Sequence, residues 1–224
     1  MISEGDKIAV GISGGKDSLI LLRALSDLKR FYPEEFQIVA ITVDMRFNKH
    51  AGDFSRIREM CDSLGVEYVV KPTDLYEIIF EVRKEENPCA LCARMRRGIL
   101  HDTAKELGCN KIALGHHKDD LVETLVLNLV FQGSVATIPP LLQMEKMPIQ
   151  MIRPLCLIEE KDLIRYAELS DYQKQTKLCP LEKASSRADV KELIKHLEAL
   201  NPNVRDSIWG AMENIKDGYL PRKI

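Results

Sequence analysis

The junction near the start of this chain constrains its fold more than any other feature. Lys7 to Ile12 is a short, continuous apolar run that passes directly into Ser13-Gly14-Gly15-Lys16-Asp17-Ser18. The next stretch, Leu19 to Phe31, carries Leu21, Leu22, Leu25 and Leu28 at helical spacing. A run of this kind reads as a strand buried on both faces. A glycine pair between strand and helix permits a tight turn. It lets backbone N–H groups converge at a helix N-terminus, which suits phosphate. Ser13 and Ser18 add hydroxyls, Lys16 adds a cation, and Asp17 is suited to magnesium. The spacing is not that of the Walker A loop, which has four residues between its first glycine and its Gly-Lys pair, nor is it GxGxxG. A bare Gly-Gly would be only a turn; the full hexapeptide in this position reads as an ATP site.

The rest of the chain repeats the alternation. Ile38 to Val43 reads as a second buried strand closed by Asp44, and Phe54 to Leu64 as a helix ended by Gly65. Val66 to Val70 is a third strand, followed by helical spacing from Asp74 toward Phe80. After the break at Glu85-Glu86-Asn87-Pro88, a helix runs from about Ala90 to Leu107, stopped by Gly108. Lys111 to Leu114 is a strand, Asp119 to Phe131 a helix, Gln132 to Pro140 a loop, and Gln150 to Arg153 a last short strand. Helical spacing returns at Glu160–Leu169, Ala188–Leu200 and Arg205–Ile215. This predicts an α/β fold, a parallel sheet with helices on both faces, with C-terminal helices packed on the main domain. The expected organisation is an ATP-binding domain over 1–170 and a helical appendage over 171–224.

With 224 residues, 45% hydrophobic and 29% charged, the chain can bury a real core. A formal net charge of -2 excludes a generally basic nucleic-acid binder, so any RNA contact has to use local basic patches. No apolar run reaches the roughly 18 residues of a membrane span. Met1 to Asp6 lacks the pattern of a secretory signal, so a cytoplasmic protein without a membrane partner is expected.

Three further positions bear on a ligand. Asp44 ends the second strand, where parallel sheets bind nucleosides; its plainer reading is a helix cap or a solvated turn. In Gly115-His116-His117-Lys118-Asp119-Asp120-Leu121-Val122-Glu123-Thr124, a strand exit enters a helix. Asp119 and Glu123 are four apart and share a helix face, as do Asp120 and Thr124. First-turn acids also stabilise a helix on their own account. The double histidine favours a site, with magnesium binding or orientation of an acceptor base as its work. Arg153, before Pro154-Leu155, can neutralise phosphate or cap the strand end.

Of six cysteines, Cys61, Cys109 and Cys156 sit in apolar or helical contexts and read as core. Cys89-Ala90-Leu91-Cys92 is a CxxC, open to a redox dithiol, half a zinc site or part of an iron–sulfur site. Nothing else suggests a small redox fold, and a structural zinc wants four ligands. Cys179 is a third cysteine with no close partner. Three thiolates suit a [4Fe–4S] cluster with one iron open to sulfur.

Ser13 to Ser18 resembles the signature of the PP-loop ATP pyrophosphatases. That resemblance implies an adenine-nucleotide α-hydrolase-like fold, cleavage of ATP between its α and β phosphates, and adenylation of an oxygen on a second substrate. Gly115 to Thr124 and Arg153-Pro154-Leu155 resemble elements of the tRNA-modifying PP-loop enzymes. Cys89-x-x-Cys92-x-Arg94-x-Arg96-Arg97-Gly98, Ile138-Pro139-Pro140, Cys179-Pro180 and Ala211 to Ile215 resemble the TtcA/TtuA group of iron–sulfur tRNA thiolases, its TtcA branch in particular. The sequence departs from that branch in having Cys179-Pro180-Leu181-Glu182 in place of a second CxxC, and it lacks the zinc-finger cysteines of the TtuA branch.

The resemblance implies tRNA 2-thiocytidine synthesis with ATP, Mg2+ and a [4Fe–4S] cluster held by Cys89, Cys92 and Cys179. It implies Asp17, Asp119, Asp120 and Glu123 as catalytic residues beside those cysteines. ATP would be held by Ser13 to Ser18, Asp44, Gly115, His116 and Arg153. Arg94, Arg96 and Arg97, with Lys183 and Arg187, are the basic candidates for RNA phosphate. Expected partners are tRNA and a cysteine desulfurase or other sulfide or persulfide donor. Dimerisation is common in the group, which makes a homodimer an expectation. The competing readings are a sulfurtransferase for another RNA or a small molecule, and a zinc-stabilised ATP-binding sulfur-relay scaffold.

Overall fold

The structure is a computed structural model that describes residues 1–47, 50–83, 88–143, 148–170, 172 and 186–219. The described residues form two compact units, one of 1–117 with 139–182 and one of 118–138 with 183–224.

The first unit is built on one sheet. Among the described residues its strands are β1 (Asp6–Gly11), β2 (Phe36–Asp44), β3 (Glu67–Pro72), β4 (Lys111–Ala113), β5 (Leu141–Gln143) and β6 (Gln150–Ile152), in the order β3-β2-β1-β4-β6-β5. β1 pairs in parallel with β2 on one side, Ile8 opposite Ile38, and with β4 on the other, Val10 opposite Ala113. A central strand has no solvent face, so Ile8, Ala9 and Val10 are all fully buried. That is why its sequence is continuously apolar rather than alternating.

Alternate residues of β1 meet different helices. Ile8, Val10 and Ile12 pack in one layer with α1 (Lys16–Leu28), α2 (Ser55–Leu64) and α5 (Glu160–Leu169), through Leu22, Leu25, Ile57, Cys61, Leu163 and Ala167. Ala9, Val39, Ile41 and Ile112 pack on the opposite face with Leu100 and Ala104 of α3 (Pro88–Glu106). The expected sheet with helices on both faces is therefore present. Gly65 and Gly108 follow α2 and α3 in left-handed conformation, as the sequence predicts.

Two details differ from the expectations. β5 runs antiparallel to β6, with Leu141 opposite Ile152, and the sequence shows no strand there. It is a three-residue edge strand with its ends exposed, too short to imprint a pattern. Asp119 to Phe131 is also not one regular helix. α4 spans Lys118–Leu127 and then widens into a π-type turn at Asn128–Gln132. There the Asn128 side chain donates to the Ala136 carbonyl at 2.8 Å, and Gly133 closes the turn.

The second unit contains α4, α6 (Ser186–Leu200) and α7 (Val204–Glu213). Val122 and Val126 of α4 pack with Val190 and Ile194 of α6, and Ile208 and Trp209 of α7 lie against them. The C-terminal helices thus draw their core from the helix that follows β4. No described helix is long and apolar enough to cross a membrane.

Candidate active site

The strand order reverses between β1 and β4, since β2 and β3 lie on one side of β1 while β4 and β6 lie on the other. Ligands of open parallel sheets bind outside the carboxyl ends of the strands at such a reversal. Ser13 to Ser18 follows β1 there, and Leu114 to His117 follows β4.

The loop is held by its own serines. Ser18 Oγ donates to the Gly15 carbonyl at 2.9 Å and accepts from the Ser13 amide at 3.2 Å. The Gly15 amide donates to Ser13 Oγ at 3.3 Å. Gly14 has φ +79°, a left-handed conformation that glycine adopts without strain. Lys16 Nζ lies 3.0 Å from Asp17 Oδ1 and donates to Glu160 Oε1 at 2.9 Å. Burial works against the lysine's charge, but its hydrogen bonds to Glu160 and Asp17 outweigh that and hold the Lys16 pKa above its ordinary value. A charged ammonium is therefore in place at the start of α1. Glu160 has no sequence signal for this role, because it reaches Lys16 from 144 residues away.

Gly115 fits the same corner for steric reasons. A methyl group on its Cα would lie 2.9 Å from the carbonyl carbon and oxygen of Asp17 and 3.0 Å from the Ser18 amide. The exit of β4 can approach the phosphate loop only as glycine.

Asp44 is buried at the end of β2 and already serves its own loop. Its carboxylate accepts from the Arg46 amide at 2.9 Å and the Gly52 amide at 3.2 Å. Its carbonyl accepts from Thr73.

Arg153 follows β6, beside the exit of β4, with the Leu114 amide donating to the Ile152 carbonyl at 3.0 Å. Its guanidinium is buried, donates from Nη1 to the Pro139 carbonyl, and leaves Nε without a partner. Among the described residues no carboxylate is paired with it. Burial first, and then the neighbouring Arg97, pull its pKa below the usual arginine value. Arg97 stands one turn before Leu100 on α3, and Leu100 lies beside Leu114 at Gly11. Two cations therefore flank one region at the carboxyl end of the sheet.

The cysteine pair opens α3, where Pro88 begins the helix. Cys89 is exposed and Cys92 half-buried, the latter packed with Leu91, Met95 and Ile99 near Met45. Cys61, Cys109 and Cys156 are buried, as the sequence suggests. Burial pushes all three thiols up, that of Cys61 to about 11. Among the described residues no three His, Cys, Asp or Glu side chains form a metal-binding group. Cys179, the expected third ligand, lies outside the described residues, as does Lys183.

In the second unit, Asp119 and Glu123 are buried and face basic side chains of the C-terminal helices. Arg205 Nη1 donates to Asp119 Oδ1 at 2.8 Å, and Lys191 Nζ lies 3.6 Å from Glu123 Oε1. These partners are 86 and 68 residues away in sequence, and no motif announced them.

A family model for a PP-loop domain matches residues 2–178. The chain is 40% identical to the tRNA-cytidine(32) 2-sulfurtransferase of Aliivibrio salmonicida, covering 98% of this chain and 72% of that protein. It is 39% identical to the enzyme of the same name from Pelobacter propionicus, covering 98% and 82%. The chain belongs to the PP-loop family, in the group of the tRNA-cytidine(32) 2-sulfurtransferases. Its fold is also that of the U34-tRNA thiolase NcsA from Methanococcus maripaludis, solved with its [4Fe-4S] cluster. The two align with TM-score 0.73 and 24% identity, covering 96% of this chain and 74% of that one. The PP-loop domain model covers β1 to β6, the loop, Gly115, Arg153 and the cysteine pair.

Proposed function

We propose that this PP-loop protein is an ATP-dependent tRNA thiolase of the cytidine type, which adenylates the C2 oxygen of a cytidine and exchanges that oxygen for sulfur. The observation that carries the reading is a PP-loop at the switch point of the sheet and a CxxC at the start of α3. Both lie in a chain 40% identical to a tRNA-cytidine(32) 2-sulfurtransferase over nearly its whole length.

In the first step the C2 oxygen attacks the α-phosphorus of ATP, and the bond to the bridging oxygen of the β-phosphate breaks. The departing pyrophosphate is received by the amides of Ser13 to Ser18 and the N-terminus of α1, where developing negative charge is stabilised. Lys16 exchanges its Asp17 and Glu160 contacts for phosphate oxygens. Asp17 would hold a magnesium ion, which would neutralise phosphate charge, and the α4 carboxylates Asp119, Asp120 and Glu123 serve the same reaction. Asp44 shapes the loop beside the nucleoside, and His116 and Gly115 border the phosphates. In the second step sulfide-level sulfur bonds to C2, and AMP leaves with the original oxygen; a persulfide donor reaches that level only when a thiol reduces it and is left as a disulfide.

The donor set fits a [4Fe–4S] cluster. Cys89 and Cys92 are three apart in the first turn of α3, so they share one side of the helix, and the remaining described cysteines are buried in the core. Cys179 is assigned as the third ligand from its sequence context. Held by three thiolates, such a cluster would supply a Lewis-acidic iron able to take up sulfur. In functional terms 1–170 carries the ATP site and the CxxC, and 171–224 carries Cys179.

Arg97 and Arg153 fit a phosphoryl group, because two neighbouring cations with no carboxylate paired to either among the described residues favour an anion. Arg94 and Arg96 extend that basic surface toward tRNA phosphate. A cysteine desulfurase or another sulfide or persulfide donor supplies the sulfur, and the assembly is a homodimer. The compartment is the cytoplasm, where tRNA and reduced thiols coincide.

Anaerobic purification tests the reading. Brown protein with iron and acid-labile sulfide that binds tRNA at low salt is expected. Zinc without iron would instead make it a zinc-stabilised scaffold, and absence of tRNA affinity at low salt would end the tRNA assignment.

A further inference from the structure

Two acids of α4, Asp119 and Glu123, meet cations of the C-terminal helices. Arg205 is a bridge: Nη1 donates to Asp119 at 2.8 Å, and Nε donates to Glu198 of α6 at 2.6 Å. Glu123 lies 3.6 Å from Lys191. Lys118, at the start of α4, donates to Asp206 of α7 at 2.6 Å and sits 5.9 Å from the centre of the Trp209 ring. The charges alternate between α4 and its two partners, and the apolar seam of Val122, Val126, Val190 and Ile194 runs alongside.

The side chains of Asp119 and Glu123 are only 11% and 5% exposed. A carboxylate so far from water stays ionised when a cation or hydrogen-bond donor compensates it. Here α6 and α7 supply the cations. A magnesium ion on Asp119 would have to share its carboxylate with a guanidinium of like charge, which is unfavourable. Asp119 and Glu123 share the helix face turned to α6 and α7, whereas Asp120 stands roughly 100° round the helix from Asp119.

We propose that Arg205 is a positioning residue, and that Asp119 and Glu123 act as clamp acids which orient the first turn of α4 through α6 and α7. This rests on the proposed thiolation, which it refines. The C-terminal helices gain a role by it: they set the geometry of a motif that lies some 80 residues earlier in the chain.

The test uses the full chain with its cluster and compares Arg205→Ala, Arg205→Lys, Asp119→Leu and the double variant Asp119→Leu/Arg205→Met. A buried ion pair can often be replaced by apolar side chains at little cost, whereas removing one partner is strongly destabilising. Trp209 is the single tryptophan of the chain, so its emission reports the docking of α7.

Arg205→Ala should lower kcat for thiolation by roughly tenfold or more with KM for ATP little changed, a split that marks a group absent from nucleotide binding. Arg205→Lys should recover much of the loss. The apolar double variant should exceed Asp119→Leu alone by roughly tenfold. A double variant with native Trp209 emission that is no better than Asp119→Leu would place Asp119 at the reacting atoms and overturn the proposal. Wild-type kcat in Arg205→Ala would overturn it as well. Wild-type protein that thiolates no tRNA would refute the reaction itself. The clamp is then decided by unfolding: coupled midpoint shifts of the two single variants support it, and additive ones refute it.

Discussion

A single missing methyl group decides how the two ligand loops of the first unit fit together. Alanine at 115 would place its Cβ 2.9 Å from the Asp17 carbonyl, against backbone that has no free end to swing away. Overpacking of this kind costs about 1–3 kcal/mol. Gly115→Ala should therefore weaken ATP binding by roughly tenfold or more, read by calorimetric titration, while the circular dichroism stays native. The remaining site residues divide by what they hold. Cys179→Ala should abolish thiolation and bleach the cluster yet leave ATP affinity intact. Lys16→Ala should do the reverse, and absorbance spectra with ATP titrations check both. Thiolation that survives Cys179→Ala would remove that residue from the ligand set. The hexapeptide, Gly115 and the cysteines were legible because each is a local pattern with its own chemistry. Glu160 and Arg205 were not, because their partners come from distant segments and only the folded chain brings them close.

At the scale of elements, β1 and its neighbours were readable because burial on both faces leaves a continuous apolar run. β5 was not, since an exposed three-residue edge strand needs no particular side chains. The base of the sheet carries a buried ion pair that no pattern foretold: Lys111 of β4 donates to Asp6 of β1 at 2.5 Å, with Asn110 and the Ser3 amide also donating to Asp6. Burial pushes the Asp6 carboxyl up. The hydrogen bonds from Lys111, Ser3 and Asn110 outweigh it and hold the pKa below the usual carboxylate value. A depressed carboxyl contributes stability that is present above its unfolded pKa, about 4, and lost as pH falls through the folded value. The thermal midpoint should therefore drop on acidification below about pH 4, and Asp6→Asn should flatten that drop while lowering the midpoint at neutral pH. Equal acid sensitivity in Asp6→Asn would assign the acid loss to other groups.

For the whole molecule, the compact units do not follow chain order. The segment 118–138 leaves β4 and makes its core with helices from 183–224, so the chain crosses between units more than once. A reading that moves along the sequence finds the helices but not which of them share a core. The weak net charge of -2 also means that tRNA has to be held by local cations. Arg94→Ala and Arg96→Ala should weaken tRNA binding and make its salt slope shallower by about one each, if each contacts one phosphate. An unchanged slope would make that part of α3 a solvated face.

The reaction of this PP-loop protein puts sulfur on a cytidine of tRNA at the expense of ATP. Mass spectrometry of nucleosides from tRNA of cells with and without the gene tests it most directly. 2-Thiocytidine is expected in the first and not in the second, and it should return with the intact gene but not with the Cys89→Ala form. An unchanged 2-thiocytidine level in cells without the gene would contradict it.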